Sequence, residues 1–283
     1  MKRLLLTITI LTFAILKVIA QEPNKQSAQE PSDMNRTERA EKKYEELFAA
    51  EITASKTDPE LMNILQRFIF GEVFYTGKLD DKTRELITIT TLTVNQTLPQ
   101  LSVHTNVALN VGVKPIEIRE SIYQLAPFIG YPKVLNALES VNRIFESRGI
   151  QLPLENAANL KEDERLEKGK EMQEPLYGHG MKSAMKDLPE GFDTIIPDML
   201  TTSLFADFYT RKGLDLQTRE LLIYCALATL GGAERQMASH AVGNLRAGNT
   251  KETLISAMVQ CYPYIGFPRI SNAIKIIQEA KVD

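Results

Sequence analysis

The chain repeats itself at a spacing of about 136 residues, and this repetition constrains its fold more than any local signal does. Glu72-Val-Phe-Tyr-Thr-Gly-Lys-Leu-Asp80 answers Asp207-Phe-Tyr-Thr-Arg-Lys-Gly-Leu-Asp215, and Thr-Arg-Glu-Leu follows each, at Thr83 to Leu86 and Thr218 to Leu221. His104 with Gly112 answers His240 with Gly248. Gln124 to Ala137 matches Gln260 to Ala273, identical at 7 of 14 positions. The offset is 135 at Arg84 and 136 at His104, so a single-residue indel lies between the blocks. Two copies of one domain, joined near Gly149 to Asn159, account for the pattern. We expect a first domain over residues 39–150, a linker over 151–162 and a second domain over 163–283.

The duplication settles an ambiguous element. Leu86-Ile-Thr-Ile-Thr-Thr-Leu-Thr-Val94 is β-branched and half alternating, which taken alone argues for a strand. Its counterpart, Leu221-Leu-Ile-Tyr-Cys-Ala-Leu-Ala-Thr-Leu230, is rich in helix formers, and two copies of one fold share the element, so both are expected to be helices. Gly231 and Gly232 stop the second. A further helix carries His104 or His240 and ends at Gly112 or Gly248, a left-handed C-terminal cap. The next opens at Pro115 in one copy and after the N-cap residue Thr250 in the other. It runs to Pro127 or Pro263, where a Pro-aromatic-Ile-Gly-aromatic-Pro turn leads into the last helix. No βαβ alternation is visible, so each repeat is expected to be a helical bundle.

Lys2 and Arg3, the apolar stretch Leu4 to Leu16 and the small-residue ending at Ala20 follow the order of a secretory signal peptide. That apolar stretch is shorter than the ~20 residues needed to span a bilayer. Residues 1–20 are therefore expected to be cleaved and the protein exported to the periplasm or secreted, with no membrane attachment afterwards. Residues 21–38 are polar and proline-punctuated, and read as a flexible leader. Asn35-Arg-Thr37 and Asn95-Gln-Thr97 match the glycosylation sequon, a match short enough to arise by chance. The 33 basic and 36 acidic residues give a net charge of -3, without a basic run able to track a phosphate backbone, so nucleic acid is not an expected partner. Two cysteines, Cys225 and Cys261, cannot form a disulfide scaffold, and three histidines leave little for a metal centre. The cysteines read as buried thiols, with a disulfide between them an alternative.

The chemistry must therefore rest on few residues. Gln100 stands four before His104, and Gln236 four before His240, so each pair shares one helix face. Glu85 and Glu220 lie on the preceding helix, and antiparallel packing would let each carboxylate reach the histidine and set its tautomer. Arg84 and Arg219 are adjacent and could pair with a substrate carboxylate. The competing interpretation makes Thr-Arg-Glu a helix-start cap with a salt bridge and each histidine a satisfied interhelical polar residue. His179, in Tyr177-Gly-His-Gly180, has no partner in the first repeat and reads as a loop residue.

These blocks together resemble the carboxymuconolactone decarboxylase family, which shares its fold with the alkylhydroperoxidase D-like proteins. The resemblance rests on the acid-aromatic block (Glu72, Asp207), Thr-Arg-Glu-Leu, the Gln-x-x-x-His pairs, the two glycine caps and the Pro-aromatic-Ile-Gly turn with Asn-Ala beyond, and covers nearly the whole chain after Ala20. It implies an all-α protein, two tandem copies of an alkylhydroperoxidase D-like helical bundle, assembling as a homo-oligomer, with a trimer favoured. The peroxidase branch carries a Cys-x-x-Cys whose positions here are Thr97 and Gln100, and Ala233 and Gln236, so no thiolate is available for that reaction. The decarboxylase branch implies loss of carbon dioxide from a small carboxylated lactone or related acid, without cofactor or metal. Arg84 and Arg219, with Gln100 and Gln236, would bind the substrate; His104 and His240 would transfer the proton; Glu85 and Glu220 would orient the histidines. The alternatives are an exported small-acid binding module without turnover and, less favoured for want of a Cys-x-x-Cys, a peroxidase-type activity resting on Cys225 and Cys261.

Overall fold

The computed structural model describes residues 33–282; the signal-peptide reading of residues 1–20, and nearly all of the leader, lie outside the described residues. The first repeat comprises α1 (Arg36–Phe48), α2 (Pro59–Gly71), α3 (Asp81–Asn95), α4 (Leu98–Asn110), α5 (Pro115–Tyr123), α6 (Ala126–Ile129) and α7 (Tyr131–Ser147). The second comprises α8 (Arg165–Tyr177), α9 (Gly180–Ala184), α10 (Phe192–Leu200), a π-helical segment (Thr201–Tyr209), α11 (Leu216–Leu230), α12 (Glu234–Arg246), α13 (Lys251–Ile265) and α14 (Phe267–Glu279). No strand occurs among the described residues, and none of their helices is long and apolar enough to cross a membrane.

The β-branched segment is a helix because it is buried on every side. Every residue from Arg84 to Val94 in α3 and from Arg219 to Thr229 in α11 is buried, and the two helices pack against each other at the centre. A helix enclosed all round shows no amphipathic period, which is why α3 mimics a strand in sequence. Thr88 and Thr91 satisfy their hydroxyls on the carbonyls of Arg84 and Ile87, each at 2.9 Å. Asp80 and Asp215 fix the two starts, accepting from the backbone N–H of Thr83 (2.8 Å) and Thr218 (2.7 Å). The caps Gly112 and Gly248 have φ of 84° and 99°.

Two boundaries differ from expectation. Helix α1 begins at Arg36, inside the expected leader, because Asn35 accepts from the N–H groups of Thr37 (2.8 Å) and Glu38 (3.1 Å) while the Glu38 carboxylate accepts from the Asn35 N–H (2.8 Å). Helix α13 runs through Pro263 to Ile265 and stops only at Gly266, φ 78°. In the first repeat Pro127 instead lies in the opening turn of the short α6, where its missing N–H costs nothing.

The repeats share one core: side chains of α3, α4, α5 and α7 form a single apolar cluster with those of α11, α12, α13 and α14. Polar groups cross this seam reciprocally. Arg84 Nη1 donates to Gln260 Oε1 at 3.0 Å, and Arg219 Nη1 donates to Gln124 Oε1 at 3.4 Å. This is the self-complementary pattern of a two-fold interface, here fixed inside one chain. The symmetry is incomplete, since Gln260 Nε2 donates to Thr88 Oγ1 (3.1 Å) whereas Gln124 Nε2 has no partner. Ile223 stands at the position of Thr88 and offers no acceptor.

Candidate active site in the second repeat

Antiparallel packing of α3 on α4, and of α11 on α12, brings each glutamate to its histidine. Glu85 Oε2 lies 2.8 Å from His104 Nδ1, and Glu220 Oε2 lies 3.1 Å from His240 Nδ1. Both glutamates are fully enclosed, and both histidines are 8% exposed. The surroundings of the pairs diverge. The Tyr177 hydroxyl donates to Glu220 Oε2 at 2.5 Å and lies 2.6 Å from His240 Nδ1, while the Tyr209 hydroxyl donates to Glu220 Oε1. One assignment satisfies all these contacts: His240 Nδ1–H donates to the Tyr177 oxygen and, more weakly, to Glu220 Oε2, both phenols donate to the Glu220 carboxylate, and Nε2 has no partner among the described residues.

In the first repeat the same positions hold Phe74 for Tyr209 and, at the end of α1 as Tyr177 ends α8, Phe48. The correspondence of α1 with α8 is marked by their first residues, since Arg36 pairs with Glu72 and Arg165 with Asp207, each at 2.6 Å. Without the phenols, Glu85 Oε1 is buried with no hydrogen-bond partner. The second repeat is also braced further: Asn244 Nδ2 donates to the carbonyls of Glu220 (2.9 Å) and His240 (2.8 Å), and Asn249 donates to Asn244 Oδ1 (2.8 Å). Ala108 and Val113 occupy those positions in the first repeat.

Gly243 makes room for the phenol. A Cβ there would lie 2.6 Å from the Tyr177 oxygen and 3.0 Å from Glu220 Oε2, too close for either to stay in place. Its counterpart is Val107, which faces no such hydroxyl. Gly243→Ala is thus expected to displace Tyr177 and lower activity by ~10²-fold. Thermal stability should change little, because alanine gains about 1 kcal/mol of helix propensity. Parallel rate and melting measurements on this variant check it.

A cavity of about 420 Å³ adjoins His240. Its polar lining comprises Gln173, Tyr177, Arg235, Gln236, Ser239 and His240, and its apolar lining includes Ala184, Met185, Leu200, Leu204 and Phe205. The π-helical segment, rare and commonly found at functional sites, supplies Leu204, Phe205 and Tyr209 together. Phe128 reaches in from the first repeat, its ring edge-on to His240 at 5.6 Å, as Tyr264 of the second repeat meets His104 at 5.9 Å. Each histidine is therefore faced by an aromatic ring from the other copy.

Arg84 and Arg219, expected to bind the substrate anion, do not line this cavity. They are 1% and 0% exposed, turned into the seam. Arg84 donates to the carbonyls of Val73 (3.1 Å), Thr76 (2.9 Å) and Leu79 (3.1 Å) besides Gln260, and Arg219 to the Arg211 carbonyl (2.9 Å) and Glu120 (3.3 Å). Their role is to hold the repeats together. Gln236 and Gln100 are both solvent-exposed, and Gln236 lines the mouth of the His240 cavity. His179 has a side chain 76% exposed and stands 3.8 Å from Glu174, away from the His240 cavity. Cys225 and Cys261 are free and fully buried, and burial, then the neighbouring Cys261, pushes the Cys225 thiol well above its usual range. Among the described residues no cluster of three His, Cys, Asp or Glu side chains is placed to hold a metal ion.

Burial, and after it the charge of Glu220, raises the ionisation of Tyr177 and Tyr209 well above the usual tyrosine range. Both stay protonated at neutral pH and act as donors. Because the folded state keeps protons that unfolded tyrosine loses near pH ~10, their contribution is complete below that pH and declines as pH rises beyond it. Denaturation midpoints measured from pH 8 to pH 11 should fall less steeply in the Tyr177→Phe/Tyr209→Phe variant than in the wild type.

The model of the carboxymuconolactone decarboxylase family matches the chain twice, over residues 59–143 and 196–279. The chain belongs to this family. Among curated proteins of similar sequence, it is 30% identical over 91 residues to a 4-carboxymuconolactone decarboxylase of Acinetobacter baylyi, a match covering 32% of this chain and 68% of that protein. It is 40% identical over 78 residues to an uncharacterized 15.0 kDa protein of Paracoccus denitrificans (27% and 58%) and 31% identical over 75 residues to a nitrosuccinic acid decarboxylase of Metarhizium robertsii (26% and 52%). The chain spans about half to two thirds of the length of the curated relatives it matches.

Proposed function

We propose that the protein is a cofactor-free carboxy-lyase that acts on a small carboxylated lactone or related acid at the second repeat. The observation that carries this reading is the Tyr177–Glu220–His240 chain at the cavity wall, which leaves His240 Nε2 as the unpartnered nitrogen. When the bond to the carboxylate breaks, carbon dioxide departs and the electron pair passes into a conjugated carbonyl. The Nε2–H of a protonated His240 then delivers a proton to carbon, with Glu220 balancing the imidazolium through Tyr177. Gln173, whose amide oxygen accepts from Thr201 at 2.6 Å, keeps its NH₂ group for the oxygen on which negative charge develops. Decarboxylase-named relatives support the reaction class. The buried thiols leave no nucleophile for peroxide chemistry.

The test is carbon dioxide release by purified protein over a panel of carboxylated lactones and 3-oxo acids. Turnover of at least one is expected. Thermal stabilisation by these acids with no carbon dioxide from any of them, at high protein concentration, would replace the lyase with an acid-binding module.

A further inference from the structure

With Arg84 and Arg219 committed to the seam, the one permanent cation lining the cavity among the described residues is Arg235, in the first turn of α12. Its side chain is exposed and enters no ion pair or hydrogen bond among the described residues, whereas Arg165, Arg211 and Arg219 are each held by a carboxylate. The equivalent residue of the first repeat is Pro99. Much of the remaining lining is apolar, including Phe128, Leu200, Leu204 and Phe205, and it holds no second arginine or lysine among the described residues. A second carboxylate among these apolar side chains would lose its hydration and find no second cation to balance it.

Resting on the lyase reading above, we infer that the substrate is an acid with a single carboxylate, a carbonyl one carbon removed and an apolar body, and that Arg235 is the residue that binds its anion. The planar guanidinium fork spans one carboxylate oxygen and the carbonyl oxygen. As the carbon–carbon bond breaks, carbon dioxide leaves and its electron pair becomes an enolate whose charge sits on the oxygen that Arg235 already holds. The proton from His240 Nε2 then closes the carbon, and solvent returns a proton to the imidazole. Atoms and charge balance as one acid anion and one proton giving a ketone and carbon dioxide.

The experiment is calorimetric binding to the full-length protein of three unreactive probes: 3-phenylpropanoate, its uncharged amide, and 4-(2-carboxyethyl)benzoate, which carries a second carboxylate at the far end of the ring. Loss of a charge-assisted pair in Arg235→Ala should weaken 3-phenylpropanoate on the order of tenfold to a hundredfold and leave the amide unchanged. Arg235→Lys, which keeps the charge without the fork, should recover part of that loss. The diacid should bind at least ~10-fold more weakly than the monoacid. Equal binding of the acid by wild type and Arg235→Ala, a diacid bound as tightly as the monoacid, or no binding of the monoacid would each overturn the inference. Carbon dioxide release from 3-oxo-3-phenylpropanoate separates the two claims. The expected binding pattern without release sinks the lyase and leaves the ligand class standing; release that needs His240 but ignores Arg235 does the reverse.

Discussion

His240→Ala is expected to lower kcat/KM for carbon dioxide release by about 10²–10⁴, the range lost with a positioned general acid, and His104→Ala to leave it at the wild-type value. The histidines are equally buried and each touches a glutamate, so the contrast comes from what surrounds them. His240 Nδ1 is tied to Glu220 through Tyr177, and its ring walls the cavity with Arg235. His104 has Phe48 and Phe74 where those phenols stand, a glutamate with one oxygen unsatisfied, and Pro99 where the cation stands. Steady-state rates of the two single variants check this, with His240→Gln as a fold-preserving control. Equal losses would mean that both repeats work.

Glu120→Ala should produce the largest loss of stability. This carboxylate is fully enclosed in the first repeat, yet its hydrogen-bond partners belong to the second, Arg211 Nε at 2.9 Å and Nη2 at 2.9 Å and Arg219 Nη2 at 3.3 Å, with Arg119 Nε of its own repeat farther off at 3.8 Å. Removing it leaves two guanidinium groups at the seam without their counter-charge, the situation that costs about 3–5 kcal/mol for a broken buried pair. For a chain of this size that corresponds to a drop in Tm on the order of 10 °C. Glu72→Ala, which removes the solvent-exposed partner of Arg36, should cost no more than about 1 kcal/mol. Thermal unfolding of both variants checks the contrast.

Much of the fold was legible because the chain states it twice. The helix former Leu221 to Leu230 disclosed the nature of Leu86 to Val94, whose alternation is an effect of burial on all sides. The glutamate–histidine meeting was legible too, since it needs only two antiparallel helices and a fixed spacing. The burial of the arginines in the seam was not legible, because charge and adjacency to Glu85 and Glu220 say nothing about direction: a residue in the first turn of a central helix faces the other repeat as readily as a cavity. Tyr177 and Tyr209 were missed for another reason. Their counterparts are Phe48 and Phe74, so matching identical residues between repeats passes over them, and α1 and α8 lie 129 residues apart, outside the 135–136 register. Gly243 against Val107 was the available signal, a glycine in mid-helix where the other copy tolerates a branched side chain.

The central claim, that cavity-facing His240 delivers the proton to carbon, is tested most directly in heavy water with 2-ethyl-2-methyl-3-oxo-3-phenylpropanoate, which has no exchangeable hydrogen between carbonyl and carboxylate and whose ketone product carries the incoming deuterium on a stereocentre where the carboxylate was. Wild-type protein should place one deuterium on a single face, and His240→Ala should yield only the slow, racemic product of solution decarboxylation. A racemic product from the wild type, or the same single face retained by His240→Ala, would contradict the account.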